Sequence, residues 1–280
     1  MPDSTAQRLT HRVVWLTPDN RTDRPSLAHL CGQDHSLLLD VGASPGHTRS
    51  FLGNPLLEGA PPLLAAVLTH WHWDHGFGGS ALEVPVVAHR RTHREMLRQS
   101  RLDWSDAALD ARVAEGSEIA FCRDYLRLEL PDRSDLMVMV PQIVFDSSLT
   151  LDLGGLTCEV HHVGGDHSSD SSVVWVPEEG LLFLGDCLYQ RLYAPVPHYT
   201  PAGLQQLLDR LEGFEPERVI LGHEETVLDA SGYRKRLAEL RQAQDLATRG
   251  ATADGDLEEL VGFVRAGIAL EASGWRPNLS

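Results

Sequence analysis

The chain is short of cysteine, of positive charge and of long apolar runs. Its four cysteines, Cys31, Cys122, Cys158 and Cys187, are scattered with no C-x-x-C spacing. That excludes a disulfide framework and points to free thiols in a reducing cytoplasm. No apolar stretch approaches the ~20 residues needed to span a bilayer, so no membrane partner is expected. The opening "MPDSTAQRLTHR" lacks the apolar core of a secretion signal. Only 24 Lys and Arg stand against 40 acidic residues, a net charge of -16. Such a surface repels phosphate backbones, whereas nucleic-acid binders carry a basic stripe, so a small-molecule substrate is expected rather than nucleic acid. The length, 280 residues, suits one large α/β domain or two modest ones.

What is present divides into strand-rich and helix-rich stretches. "RVVWLT" (12–17), "HSLLLDVG" (35–42) and "PPLLAAVLTH" (61–70) are nearly continuous apolar runs closed by turn residues, the pattern of strands buried on both faces. From Arg90 to Arg123 the spacing becomes helical, with Ser105 a candidate N-cap, and reads as a helical insertion. Strands resume with "LMVMV", "QIVF", "LTLDLGG", "LTCEVHHVGG", "SSVVWVPEEG" and "LLFLGD". "TPAGLQQLLDRLEGF" is an amphipathic helix capped by Thr200 with Pro201 at its first position. "RVILGHEE" is a further strand, and the stretch 231–270 holds two C-terminal helices. Two β-rich halves with helices outside suggest an α/β fold of four layers, an αββα sandwich.

One stretch departs from this economy. "THWHWDHGFGG" (69–79) packs three histidines and an aspartate into six positions at the end of the apolar run "LLAAVL". Residues two apart on an extended chain point the same way, so His70 and His72 share a side and can hold one metal ion. Asp74 and His75 follow where the chain turns toward helix, and face a second position nearby. Ionisable groups at the end of a buried strand are costly unless something satisfies them, and a metal does so. Three more apolar segments end in ligand-type residues: His167 in "HVGGDHSSDS", Asp186 in "LLFLGD" and His223 in "VILGH". Strand ends are where sites assemble in open α/β folds.

The set "HWHWDH", "GGDHSSDSS", "FLGDC" and "LGH", preceded by "LLLDVGAS", resembles the metallo-β-lactamase-fold superfamily of metal-dependent hydrolases over roughly residues 12 to 225. The resemblance implies an αββα fold and one domain over 1–280. It also implies a dinuclear centre: His70, His72 and His167 on one ion, Asp74, His75 and His223 on the other, and Asp186 bridging. Imidazole and carboxylate ligands suit two Zn, with Fe or Mn as alternatives. Two such ions lower the pKa of a shared water toward neutrality for attack on a carbonyl or phosphoryl group, and Asp74 can orient it. Dimers are common in the resembled family, so a homodimer is a further expectation.

Departures within the family narrow the substrate. The true β-lactamases with the most similar stretch carry a metal-binding cysteine at the position of Asp186 and a carboxylate-holding lysine three residues later. Here the later residue is Tyr189, and the chain's one lysine is Lys235. A tyrosine at that place resembles acyl-homoserine lactonases, in which the phenol hydrogen-bonds the substrate carbonyl. Hydrolysis of an ester-like bond (lactone, thioester or related ester) is therefore expected, with β-lactam or phosphoester hydrolysis less so. A mononuclear iron oxygenase of the persulfide dioxygenase type, using a subset of the ligands, is the competing enzyme class. Trp71, Trp73 and Phe77 are candidates for an apolar lining or for core, Trp104 is a weaker one, and His198 is a candidate for approach to the pocket.

Overall fold

The computed structural model describes residues 4–276. Alternation along the strands sets its layers. The first sheet runs in chain order through β1 (Ala6–Arg8), β2 (Val13–Leu16), β3 (Leu27–Cys31), β4 (Ser36–Leu39), β5 (Leu63–Leu68), β6 (Val86–His89) and β7 (Ile143–Phe145). It is antiparallel from β1 to β4 and parallel from β4 to β7. The second holds β8 (Ser148–Asp152), β9 (Thr157–His162), β10 (Ser172–Val176), β11 (Leu181–Gly185), β12 (Arg218–Leu221) and β13 (Leu228–Asp229), in the order β13-β12-β11-β10-β9-β8. Val13, Trp15, Leu37, Leu39 and Val67 of the first sheet meet Val160, Val174, Phe183 and Ile220 of the second in one buried layer. Their sequence neighbours Val14, Leu38, Ala66 and Leu68 face outward into a different layer, as a period of two requires.

Helices cover both outer faces. They are α1 (Pro45–Leu52), α2 (Trp73–Gly76), α3 (Arg90–Gln99), α4 (Asp106–Glu115), α5 (Ala120–Glu129), α6 (Pro201–Leu211), α7 (Ala230–Arg249) and α8 (Asp256–Ala272). Phe51, Met96, Leu109 and Leu126 from α1, α3, α4 and α5 pack on the first sheet. Leu204, Leu208, Leu237 and Val264 from α6, α7 and α8 pack on Val173, Leu182 and Leu221 of the second. The fold is thus mixed α/β in an αββα order. Ser105 caps α4, and Thr200 caps α6 with Pro201 in its first turn. All four cysteines are free thiols.

Three details differ from the sequence reading. The insertion extends to Glu129, because Cys122 and Leu126, one helical turn apart on α5, bury against the first sheet's outer layer. "LMVMV" (136–140) forms no strand; it lays Val138 into that layer while Met137 stays 69% exposed. The runs "LAHLC" and "VVAH", passed over in the sequence, are β3 and β6.

Candidate metal centre

The ends of β5, β11 and β12 and the β9–β10 loop converge where the two sheets meet. After β5 the backbone N–H of Thr69 donates to Asp40 Oδ1 at 2.8 Å, and Ser172 N–H donates to Thr69 O at 2.9 Å. These bonds hold the segment 70–72 between the sheets before the single turn of α2 presents Asp74 and His75. On the other sheet, Gly185 adopts φ 52 and β11 shifts register against β12, which turns Asp186 inward.

The side chains gather into two groups able to hold metal ions. The donor atoms of His70, His72 and His167 lie within 4.8 Å of one another, and so do those of Asp74, His75, Asp186 and His223. Asp186 Oδ2 lies 3.2 Å from His75 Nε2, 3.3 Å from His223 Nε2 and 3.5 Å from His167 Nε2, so its carboxylate faces both groups. Asp74 Oδ2 lies 3.1 Å from His75 Nε2 and 3.2 Å from His223 Nε2. His72 Nε2 and His167 Nε2 are buried with no hydrogen-bond partner. Such orphans are costly in a protein interior, and a cation held between them and the carboxylates removes the cost. The residues present therefore fit a metal pair.

Outer partners fix the rings. Thr69 Oγ1 lies 3.0 Å from His70 Nδ1, Asp40 Oδ2 lies 2.7 Å from His75 Nδ1, and the Gln190 carbonyl lies 3.2 Å from His167 Nδ1. Each leaves the opposite nitrogen directed inward, the arrangement that orients imidazole ligands. Asp40 and Asp23, whose Oδ1 lies 3.7 Å from His223 Nδ1, both hold positive φ, 55 and 58. Sequence reading assigned neither. The only cue to Asp40 was an aspartate closing the buried run "LLLD". Asp40→Asn keeps the left-handed backbone, which Asn tolerates, but offers amide N–H donors where His75 needs an acceptor. Metal affinity is expected to fall about 10–100-fold, as measured by competition with a chromophoric chelator; unchanged affinity would remove Asp40 from this role.

Charge divides the two groups. Burial, then neighbouring imidazoles, holds His70, His72 and His167 below the ordinary histidine range, which keeps them neutral and ready to ligate. Burial alone would lower His75 and His223 too. The carboxylates around them, Asp186 foremost, outweigh it and raise both well above that range. Burial would raise Asp186, but His75 and His223 pull it well below the carboxylate range. An ion entering the second group therefore displaces protons, and one entering the first does not. On dialysis at falling pH, elemental analysis is expected to show the metal content dropping in two stages. The Asp74, His75 and His223 position empties first; simultaneous loss would contradict the asymmetry.

A cavity of about 360 Å³ opens over this floor, walled by Phe121, Cys122, Tyr125, Tyr189, Leu192 and Tyr193. The helical insertion thus supplies one wall through α5. Tyr189 sits with its ring centroid 6.0 Å from that of His167 and 6.2 Å from that of His223. Burial, then Asp186, raises its phenol well above the usual range, so it stays a donor. Trp71 stands edge-on to His72 with centroids 4.5 Å apart. Trp73, Phe77 and Trp104 are core instead, with Phe77 and Trp104 packed at 4.8 Å. His198 is fully buried beside Trp275, away from the centre. Gly42-Ala43-Ser44-Pro45-Gly46 spells G-x-S-x-G, a string the sequence reading missed. Ser44 is no nucleophile here: it caps α1, accepts from His47 N–H at 3.1 Å and donates to Glu129.

These features define an αββα protein with two adjoining His/Asp groups able to hold metal ions. A model of the metallo-beta-lactamase superfamily matches residues 21–223, and the chain belongs to that superfamily. It is 43% identical over 89 residues to the metallo-beta-lactamase type 2 of Bacteroides fragilis, across 30% of this chain and 36% of that protein. The chain thus matches little more than a third of that relative's length. Among solved structures, it is similar to a metallo-beta-lactamase from Pontibacter korlensis, with a TM-score of 0.57 and 21% identity over 84% of this chain and 98% of that one. It is also similar to the sec-alkylsulfatase Pisa1 from a Pseudomonas species, with a TM-score of 0.64 and 15% identity over 91% of this chain and 46% of that one. At such identities these likenesses show the fold. Members of the superfamily are mostly metal-dependent hydrolases. No helix among the described residues is long and apolar enough to cross a membrane.

Proposed function

We propose that this protein is a cytoplasmic hydrolase that uses two metal ions, Zn in the first instance, to cleave an ester-like bond in a small molecule: a lactone, a thioester or a related ester. The observation that carries the reading is Asp186, one carboxylate facing two sets of imidazoles, His70, His72 and His167 on one side and His75 and His223 on the other. Bound there, the metal pair would supply Lewis acidity toward the substrate oxygen and an acidified water. The chain's own groups do the rest. Asp74, ionised beside His75 and His223, accepts a hydrogen bond from the attacking water and aims it. Tyr189, protonated at the cavity wall, donates to the substrate carbonyl. Phe121, Tyr125 and Leu192 exclude bulk water and receive the apolar part of the substrate.

Elemental analysis of protein purified without chelator, with His167→Ala beside it, tests the reading. About two Zn per chain, reduced in the variant, with turnover of lactones or thioesters, supports it. One Fe per chain, with oxygen consumption on thiol substrates, replaces it with the mononuclear oxygenase. Tyr189→Phe is expected to lower kcat/KM about tenfold, the worth of one well-placed donor, with metal content unchanged; an equal loss of metal would make the tyrosine a packing residue.

A further inference from the structure

A second cavity, of about 470 Å³, shares His72, His167 and Tyr193 with the first and adjoins it there. Its walls carry Arg91, Arg94 and Arg191. Three guanidinium groups converging beside the centre of a chain with net charge -16 need an explanation. Ion pairing within the protein provides only part of one. Arg91 spends one nitrogen on the Ser169 carbonyl at 3.0 Å. Arg94 makes no direct hydrogen bond or ion pair among the described residues; its charge is felt only by the exposed Asp146 carboxylate. The carboxylate nearest Arg191, Asp166, lies 3.9 Å away, and its two oxygens accept from Thr200 N–H and Oγ1, each at 2.9 Å. The one acid in the cavity wall, Glu95, is held by Arg98 at 2.8 Å.

We infer that this cavity binds an oxyanion carried by the substrate, a carboxylate or a phosphate, while the cavity under α5 takes the apolar part. The scissile ester then spans the His72 and His167 boundary between them. Guanidinium groups match the two-oxygen geometry of either anion, and all three here have nitrogens to spare. This assignment rests on the ester-hydrolase reading for its reaction, but not for its binding site.

Calorimetry separates the two. Glutarate and inorganic phosphate are titrated into the metal-loaded protein and into Arg94→Gln, Arg191→Gln and, as a control on the far helix α7, Arg249→Gln. At least one anion is expected to bind, about tenfold more weakly in either cavity variant and unchanged in the control, with affinity falling as salt rises. The tighter anion identifies the headgroup. Equal binding by all four proteins would place the anion on metal alone and overturn the inference, as would no binding of either anion. The ratio of kcat/KM for mono-4-nitrophenyl glutarate to that for the neutral ester 4-nitrophenyl butyrate is expected to fall about tenfold in Arg94→Gln. If neither ester is hydrolysed while arginine-dependent binding persists, the ester reading fails and the anion site stands.

Discussion

Asp186→Ala is expected to cost more activity than any other single change at the centre, about 10³-fold in kcat/KM, or about 4 kcal/mol of transition-state stabilisation. The residue is buried among His75, His167 and His223, with one oxygen within 3.5 Å of all three. Its removal takes from both groups at once the one carboxylate that faces them. Metal content is expected to fall from about two ions per chain to less than one. The cores lie elsewhere, between and outside the sheets, so the far-ultraviolet circular dichroism should persist. Asp186→Asn, which keeps the shape but not the charge, should lie between alanine and wild type in metal retention. Full occupancy in the alanine variant would mean that the two histidine groups hold their ions independently, and the bridging role would fall.

The second large effect comes from adding an atom. A Cβ at residue 222 would lie 1.9 Å from Asp186 Oδ1 and 3.1 Å from both Asp186 Cγ and His75 Cε1. The backbone has nowhere to retreat: Gly222 N–H donates to Gly185 O at 3.0 Å, and its carbonyl accepts from Ser26 N–H at 2.6 Å. In Gly222→Ala the carboxylate must therefore swing away. We expect about 10²-fold weaker metal binding at both positions, with a stability loss of about 1–3 kcal/mol from overpacking. A chelator competition curve and a thermal melt, run on the same preparation, report the two separately. Wild-type affinity in this variant would show that the centre tolerates movement of Asp186 by a carbon's width, contradicting the tight geometry described above.

The proposed ligands were legible because each stands at the end of an apolar run, and the four runs are strands or loops that the fold brings to one edge. The fold class was legible for the same reason: runs such as "LLLD" and "LLFLGD" read as buried strands, and Ser105 and Thr200 mark helix starts by local chemistry alone. What escaped depends on distant partners. Asp40 matters because it meets His75, 35 residues away, and no local pattern announces that. "LMVMV" has the composition of a strand, yet it pairs with none and lays Val138 into the layer outside the first sheet. The arginine cavity joins α3 to the segment after β11, about a hundred residues apart, so its charge is invisible in a composition dominated by acids. Ser44 errs the other way: five letters match a catalytic motif, while Glu129 and the start of α1 use the hydroxyl for structure.

The contact between Asp74 and His223 spans 149 residues of sequence. A chain emerging from the ribosome makes the first histidine cluster early, but His167, Asp186 and His223 arrive only with the second sheet. Closing the loop is what imposes seven donors in two fixed groups. The complete pair of donor groups is thus a property of the nearly finished chain, because no segment shorter than 70–223 contains all seven residues.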